Sequence, residues 1–171
     1  MSSFSFKDKT VYYEVVGKGR PLLLLNGIMM STASWHPFRE AFQQGGNQLI
    51  LVDMLDQGKS EAMGEEFPIS LQADMLCALL DHLDVQQTAI FGTSYGGEVA
   101  LNFAVQWPER VTRMVLANTV ARTNAWLKEI GQGWILAGDN AEAYYDTTIP
   151  VIYSPDFYDR RADWMQKRKR L

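Results

Sequence analysis

The sequence of 171 residues contains a single cysteine, Cys77, and two histidines, His36 and His82. One cysteine cannot form a disulfide within the chain, and this usage fits a reducing compartment. No apolar run approaches the roughly 20 residues that span a bilayer, and the first ten residues lack the apolar core of a signal peptide. These absences predict a cytoplasmic protein without a membrane span.

Positive charge is also scarce, because 16 Lys and Arg residues stand against 20 Asp and Glu, for a net charge of −4. A nucleic-acid-binding face needs clustered basic residues, and the one basic run is "KRKR" at residues 167–170. A solvated helix end explains this run better than a binding patch does. The composition therefore argues against a nucleic-acid partner, whereas 47% apolar residues predict a globular core.

Five short segments are predicted to be strands. Residues 10–16 end at a Gly-Lys-Gly turn. The other four segments are mostly apolar without a period of two, which is typical of parallel strands buried on both faces. They are residues 22–25, 49–52, 88–91 and 111–118.

Helical patterns separate these strands. The first spans residues 35–42, with Pro37 suited to its first turn. The second has an apolar stripe over residues 71–83, with Ser70 placed as its N-cap. The third spans residues 95–107. Strands that alternate with helices at this spacing predict an α/β fold with a mainly parallel sheet.

The character of the chain changes at about residue 123, which predicts two regions, 1–122 and 123–171. The second region is predicted to be helical and is rich in aromatic residues. These residues either line a pocket for an apolar substrate or simply cover a core, and the pattern favours neither reading. They are Trp126, Trp134, Tyr144, Tyr145, Tyr153 and Phe157.

Ser94 is the strongest candidate for a catalytic residue. It stands in the pattern G-x-S-x-G, between Gly92 and Gly96, directly after one predicted strand and directly before a predicted helix. A serine at such a turn is held in a strained conformation beside the free N–H groups of the helix N-terminus. A side chain on either glycine is expected to collide across the turn. This context favours a nucleophile over a turn that merely docks the helix.

Three motifs together resemble the α/β-hydrolase family. "FGTSYGG" resembles its nucleophile elbow, "LLLLNGIMMSTASW" its oxyanion loop, and "LVDMLDQGKS" the segment that follows its fourth strand. The resemblance covers residues 10–120, while residues 123–171 resemble the opening of a helical cap or lid. It implies an α/β-hydrolase fold truncated before its last strands, with residues 1–122 as part of the core and 123–171 as the start of the cap.

The resemblance also implies the roles of several residues. Ser94 is the nucleophile, and the backbone N–H groups of Tyr95 and Ile28 (or Met29, if the turn is displaced by one) form the oxyanion hole. Asp53, with Gly58 and Ser60, is expected to brace a turn rather than to act in catalysis. The implied reaction is hydrolysis of an ester or related acyl bond, without a metal or an organic cofactor.

Asn26 is a departure from the family, because many members have His-Gly where this chain has Asn26-Gly27. The side chain at this position generally orders the loop, so Asn is compatible with catalysis. A few members with Asn-Gly are acyltransferases that join hydroxyacyl chains, which leaves transfer to an acceptor other than water as an alternative.

The base that should accept the serine proton is missing from the pattern. His82 is expected on the flank of the sheet, and His36 at the start of the first helix, where a capping or solvent-facing role is favoured. Asn118 stands where some members of the family have an acid, but it carries no charge. The acid and the histidine of the family follow the cap. The 171-residue chain is therefore predicted to be inactive alone.

Two readings of this gap remain open. The favoured one is that the chain is the N-terminal part of a longer hydrolase, whose expected substrate is a small molecule with an apolar acyl group. The alternative is a complete protein that has lost catalysis, such as a non-catalytic small-molecule-binding or regulatory protein on the same fold. In either case the strand at 111–118 is expected to be an unpaired edge, so we predict self-association through this edge or by exchange of residues 123–171.

Overall fold

Within residues 2–138 and 140–169, which the computed structural model of the protein describes, six strands form a single sheet. The strands are β1 (Ser2–Phe6), β2 (Lys9–Val16), β3 (Arg20–Leu25), β4 (Asn47–Val52), β5 (Thr88–Thr93) and β6 (Val111–Ala117). Their order across the sheet is β1-β2-β4-β3-β5-β6. Strands β4, β3, β5 and β6 are mutually parallel, while β1 and β2 are joined to them by antiparallel pairing. The predicted mainly parallel sheet is therefore confirmed.

Three α-helices accompany the sheet in the first of the two compact units of the chain, Met1–Ala121. They are α1 (Arg39–Gln44), α2 (Ile69–His82) and α3 (Tyr95–Gln106), with short 3₁₀ helices at Thr32–Phe38 and Pro108–Arg110. Strand β3 shows why its neighbours are helical. Leu23 and Leu25 are buried in a core shared with α2 and α3, whereas Leu24 is buried on the other face beside Trp35. A strand buried on both faces is what its unbroken leucine run predicts.

Two of the predicted helix starts need correction. Helix α2 begins at Ile69 with Pro68 as its N-cap, so Ser70 lies inside the first turn and does not cap the helix. The extended backbone of Pro68 supplies the N-cap conformation without a side-chain hydrogen bond. The first predicted helix is divided into a 3₁₀ helix and the short α1, and Pro37 lies inside the 3₁₀ part.

Strand β1 was not predicted from the sequence. It pairs with β2 through a two-residue hairpin at Lys7 and Asp8, both of which have positive φ angles (48° and 61°). Two successive positive φ angles define the tight turn that suits the twist of a hairpin. Asn-Gly or Asp-Gly is the usual signal for such a turn, and Lys-Asp does not provide it.

Strand β6 is an edge of the sheet, as predicted, but it is not buried on both faces. Among the strands of the described residues, β5 alone pairs with it. All seven residues of β6 are at least partly exposed, including Val115 at 55% and Leu116 at 38% of their surface. An apolar strand thus combines one unpaired edge with exposed side chains.

In the second compact unit, Arg122–Leu171, the described residues form four helices. These are α4 (Ala125–Ala137), α5 (Ala141–Ile152), α6 (Pro155–Arg160) and α7 (Ala162–Lys169). Side chains of Asn124, Asn140 and Ser154 cap α4, α5 and α6. The basic run begins in α7, and its Arg170 lies outside the described residues. In the described part of the chain, no helix has the length and apolarity needed to cross a bilayer.

The aromatic residues of this second unit pack largely against one another. The rings of Tyr153 and Phe157 stack at 5.2 Å between centroids, and both lie edge-on to Trp164. Trp126 is the exception, because 66% of its surface is exposed. Most of these side chains therefore contribute to the packing of the unit itself.

Candidate active site

Ser94 occupies a strained turn between β5 and α3. Its backbone angles are φ 52° and ψ −122°, a conformation that residues with a side chain rarely adopt. Its N–H donates to the carbonyl of Ala117 at 2.9 Å, and its carbonyl accepts from the N–H groups of Gly97 and Glu98. The side chain is exposed and does not cap the helix. The turn thus presents the hydroxyl group outward at the carboxyl end of the sheet.

The glycines on either side of Ser94 allow this turn. A Cβ atom on Gly92 would lie 2.6 Å from the carbonyl oxygen of Gly96, across the turn. On Gly96 it would lie 2.5 Å and 2.6 Å from the carbonyl oxygens of Leu25 and Asn26. The expected collision is therefore present at both positions, but at Gly96 it is with the end of β3 and not with the same turn.

The loop that follows β3 lies directly against the serine. A Cβ atom on Gly27 would be 3.5 Å from the Cβ of Ser94. The next residue, Ile28, has 49% of its side chain exposed, and its N–H finds no hydrogen-bond acceptor in the described residues. Tyr95 is the first residue of α3, so the helix provides no partner for its N–H. The two N–H groups that the sequence analysis predicts for an oxyanion hole belong to the two turns that meet at Ser94.

Asn26 is completely buried and makes three hydrogen bonds. Its Nδ2 donates to the carbonyl of Val52 at 2.8 Å and to Oε1 of Gln57 at 3.2 Å. Its Oδ1 accepts from Nε1 of Trp35 at 2.7 Å. The side chain therefore orders the loop through hydrogen bonds, as the family resemblance implied. The sequence analysis missed Gln57, although it lies within the quoted segment "LVDMLDQGKS".

Asp53 braces two turns, as predicted. One carboxylate oxygen accepts from the N–H of Thr32 at 2.6 Å and the other from the N–H of Lys59 at 2.9 Å. Gly58 is needed here, since its φ is 53° and a Cβ would collide with this carboxylate. The Ser60 hydroxyl donates to the backbone carbonyl of Asp53. The carboxylate thus accepts from two backbone N–H groups, which fits the predicted bracing role.

Both histidines of the chain are held by residues of β2. The ring of His82 stacks on Phe4 at 5.4 Å, and its Nε2 is 3.1 Å from the hydroxyl of Tyr13. Nε2 of His36 lies 3.5 Å from a carboxylate oxygen of Glu14. Strand β2 is three positions from β5 in the sheet, which corresponds to about 14 Å at ~4.8 Å per strand. In the described structure, neither ring is hydrogen-bonded to Ser94.

Two ionisable groups on the first turn of α3 are affected by burial. Burial raises the pKa of the Glu98 carboxyl group. Burial also raises the pKa of the Tyr95 phenol, against a hydrogen bond with Gln72 that lowers this pKa and with a smaller upward contribution from the Asp56 charge. Both shifts favour uncharged side chains behind Ser94. In the described residues, no group of three or more His, Cys, Asp or Glu side chains could hold a metal ion.

Comparison with known proteins gives consistent matches. A family model described as the α/β hydrolase fold matches residues 20–167. The chain is 36% identical over 111 residues to the 2-hydroxy-6-oxononadienedioate/2-hydroxy-6-oxononatrienedioate hydrolase of Paraburkholderia phymatum, covering 62% of this chain and 38% of that protein. It is 29% identical over 131 residues to the proline iminopeptidase of Clostridioides difficile, covering 72% and 45% respectively.

Among solved structures, the chain resembles MGS-M2, an α/β hydrolase enzyme from a Medee basin deep-sea metagenome library. The TM-score is 0.94 and the identity 44%, over 99% of this chain and 63% of that one. The chain thus spans less than two thirds of the length of each of these relatives.

Proposed function

Since the chain belongs to the α/β-hydrolase family, whose members similar to it are hydrolases, we propose that Ser94 is the nucleophile of a hydrolase acting on an ester or related acyl bond. The observation that carries this proposal is the conformation of Ser94. A non-glycine residue at φ 52° is held there at a cost of about 1–3 kcal/mol. Such strain at an exposed hydroxyl beside two free N–H groups supports a catalytic role.

The proposed reaction uses both turns. The Oγ of Ser94 forms a bond to the carbonyl carbon of the substrate, and the carbonyl oxygen becomes an oxyanion that accepts hydrogen bonds from the N–H groups of Ile28 and Tyr95. Collapse of this intermediate breaks the bond to the alcohol, which leaves with a proton. Water then releases the acyl group from Ser94.

This reaction needs a base that takes the proton from Oγ. The contacts of His36 and His82 commit both rings to β2, so we expect the 171-residue chain alone to show no appreciable turnover. Loss of the base lowers kcat by about 10⁶ in a comparable serine enzyme. The remaining oxyanion donors should still allow slow labelling of Ser94 by an activated phosphonate.

An apolar acyl substrate is the proposed substrate class. Ile28 and Met29 expose 49% and 75% of their surface on the loop that borders Ser94, and they would contact the group next to the scissile bond. An apolar wall of this kind is compatible with esterase, lactonase, thioesterase and acyltransferase activities alike. In an active, longer form of the protein, kcat/KM for p-nitrophenyl esters should rise with the length of the acyl chain. A preference for acetate would contradict the apolar class.

Phosphonate labelling and ester hydrolysis test the role of Ser94. We expect the phosphonate adduct on Ser94 by mass spectrometry, and its loss in Ser94→Ala. In a longer, active form, Ser94→Ala should lower turnover by several powers of ten, and activity near wild type would refute the assignment. If the 171-residue chain hydrolyses p-nitrophenyl esters and Ser94→Ala abolishes this activity, our inference that the chain lacks a base for Ser94 is wrong. Loss of this hydrolysis in His36→Ala would then identify His36 as the base.

Self-association through β6 is a separate proposal. The strand has one free edge and exposes Val115 and Leu116, a combination that favours pairing with a second copy. Light scattering at micromolar concentration should show a dimer, and Val115→Lys should shift it to the monomer. A monodisperse wild-type monomer would contradict the proposal.

We also propose a cytoplasmic location, which the single cysteine supports, because this cysteine usage fits a reducing compartment.

A further inference from the structure

The carbonyl oxygen of Gly27 is held from two sides. It accepts hydrogen bonds from Nε2 of Gln57 and from the N–H of Met30, both at 3.1 Å. This carbonyl belongs to the same planar peptide unit as the N–H of Ile28, and the two bonds point in opposite directions in a trans peptide. Fixing the direction of the Gly27 carbonyl therefore fixes the direction of the Ile28 N–H.

The orientation of the Gln57 amide is itself determined by a chain of hydrogen bonds. An indole N–H can only donate, so the Nε1 of Trp35 requires the oxygen of Asn26 to face it. The nitrogen of Asn26 then faces Gln57 and donates to its oxygen. The remaining Nε2 of Gln57 faces Gly27 as a donor. A flipped Gln57 amide would place two acceptors face to face, its own oxygen and the Gly27 carbonyl oxygen. It would also place two donors face to face, its own nitrogen and Nδ2 of Asn26.

We infer that Gln57 is a positioning residue that aims the N–H of Ile28 at the oxyanion of the reaction. The indole N–H of Trp35 sets the donor-to-acceptor direction of each hydrogen bond in the network. This direction is passed on by the buried Asn26 and by Gln57 to the Gly27–Ile28 peptide. Gln57 contacts no reacting atom and acts through this peptide. The inference rests on the proposed role of Ser94, because an oxyanion forms only if that serine attacks a carbonyl or phosphoryl group.

The test compares two reagents that differ only at the atom received by the oxyanion hole. A phosphonate with a P=O group and its P=S analogue with the same leaving group are used to label Ser94. Sulfur is the weaker hydrogen-bond acceptor, so the ratio of the two rates reports the oxyanion donors. A loss of folded protein lowers both rates equally and leaves the ratio unchanged.

Gln57→Met is the variant of choice, because it keeps the approximate length of the side chain and removes the amide. Loss of a whole oxyanion donor costs about 10²–10³ in rate, and a misdirected donor should lose part of this. We expect the P=O to P=S rate ratio to fall on the order of tenfold in Gln57→Met. The matched control is Gln87→Met, which removes a glutamine amide that donates to the Glu109 carbonyl at 2.8 Å, away from the loop.

A second measurement separates this inference from the proposed function. The residual dipolar coupling of the Ile28 N–H reports the direction of that bond without any reaction. It should change in Gln57→Met and stay unchanged in Gln87→Met. An unchanged coupling together with an unchanged rate ratio would overturn the positioning role and leave the Ser94 proposal intact. If neither reagent labels Ser94 in the wild type, the proposed function fails, and the dipolar coupling alone decides whether Gln57 directs the peptide.

Discussion

The two turns that meet at Ser94 are stabilised in opposite ways. The β5–α3 turn depends on the absence of side chains, since Gly92 and Gly96 have no room for a Cβ, and its central residue is strained. The loop after β3 depends on buried side chains, because Asn26 and its partners hold it by hydrogen bonds. One donor of the proposed oxyanion hole comes from each turn. The site therefore combines a turn that has no room for added side chains with a loop that depends on buried side-chain hydrogen bonds. Adding a side chain should destabilise the turn, whereas removing a hydrogen-bonding group should destabilise the loop.

The largest expected effect is that of Gly96→Ala on the β5–α3 turn. Its Cβ would meet two backbone carbonyl oxygens of the neighbouring strand end, which cannot rotate away. We expect a loss of about 3 kcal/mol in the free energy of unfolding, at the upper end for overpacking. Urea denaturation measures it. Gly131→Ala is the control, because nothing lies within 4 Å of its Cβ position in α4, so it should be neutral or slightly stabilising. Equal effects of both variants would show that the turn tolerates a side chain.

The loop after β3 should be sensitive to Trp35→Phe. This change keeps an aromatic ring beside Phe42 and Phe91 but leaves the buried Oδ1 of Asn26 without a donor. We expect a loss of about 2 kcal/mol, measured by the same denaturation experiment. Trp126→Phe removes an indole that is 66% exposed and should change the stability little. If Trp35→Phe is as mild, the hydrogen bond does not stabilise the loop.

The strain at Ser94 can be measured by comparing two substitutions there. Ser94→Gly relieves the unfavourable φ angle, whereas Ser94→Ala retains it. Neither variant should be labelled at residue 94 by the phosphonate, but we expect Ser94→Gly to be more stable by about 1 kcal/mol, because part of the relief is offset by the greater entropy of unfolded glycine. Equal unfolding midpoints would mean that the turn is not strained, which would remove the main support for the nucleophile.

The smallest expected effect is the contribution of Glu98, on the first turn of α3, to the pH dependence of the free energy of unfolding. Burial raises the pKa of Glu98 in the folded protein above its unfolded value. The folded state therefore binds this proton more tightly, so the stabilising effect is complete below an unfolded pKa of about 4.3 and is lost as the pH rises through the folded pKa. We expect Glu98→Gln to gain stability relative to wild type between acidic and neutral pH. Parallel pH profiles of the urea midpoint for both proteins would contradict this.

The strands of the sheet and the place of Ser94 were predictable because their signals are local. Unbroken apolar runs mark β3 and β4, and the glycines around Ser94 are adjacent to it in sequence. Gln57 could not be found in this way, since its partner, the carbonyl of Gly27, is 30 residues away. Strand β1 was missed because Lys7 and Asp8 adopt a turn conformation that their identities do not signal. The N-cap of α2 was misplaced because Pro68 caps by backbone conformation alone.

The asymmetry of β6 has a consequence for the exchange of its amide protons with solvent deuterium. Successive N–H groups of a strand point to opposite sides, and in the part of the chain that the structure describes β6 pairs with β5 alone. Alternate amides along Val111–Ala117 should thus be protected while the residues between them exchange quickly. The central strand β3, which is paired with both β4 and β5, should lack this alternation. The amide protons of β6 would then report, residue by residue, whether anything has come to lie along the open edge.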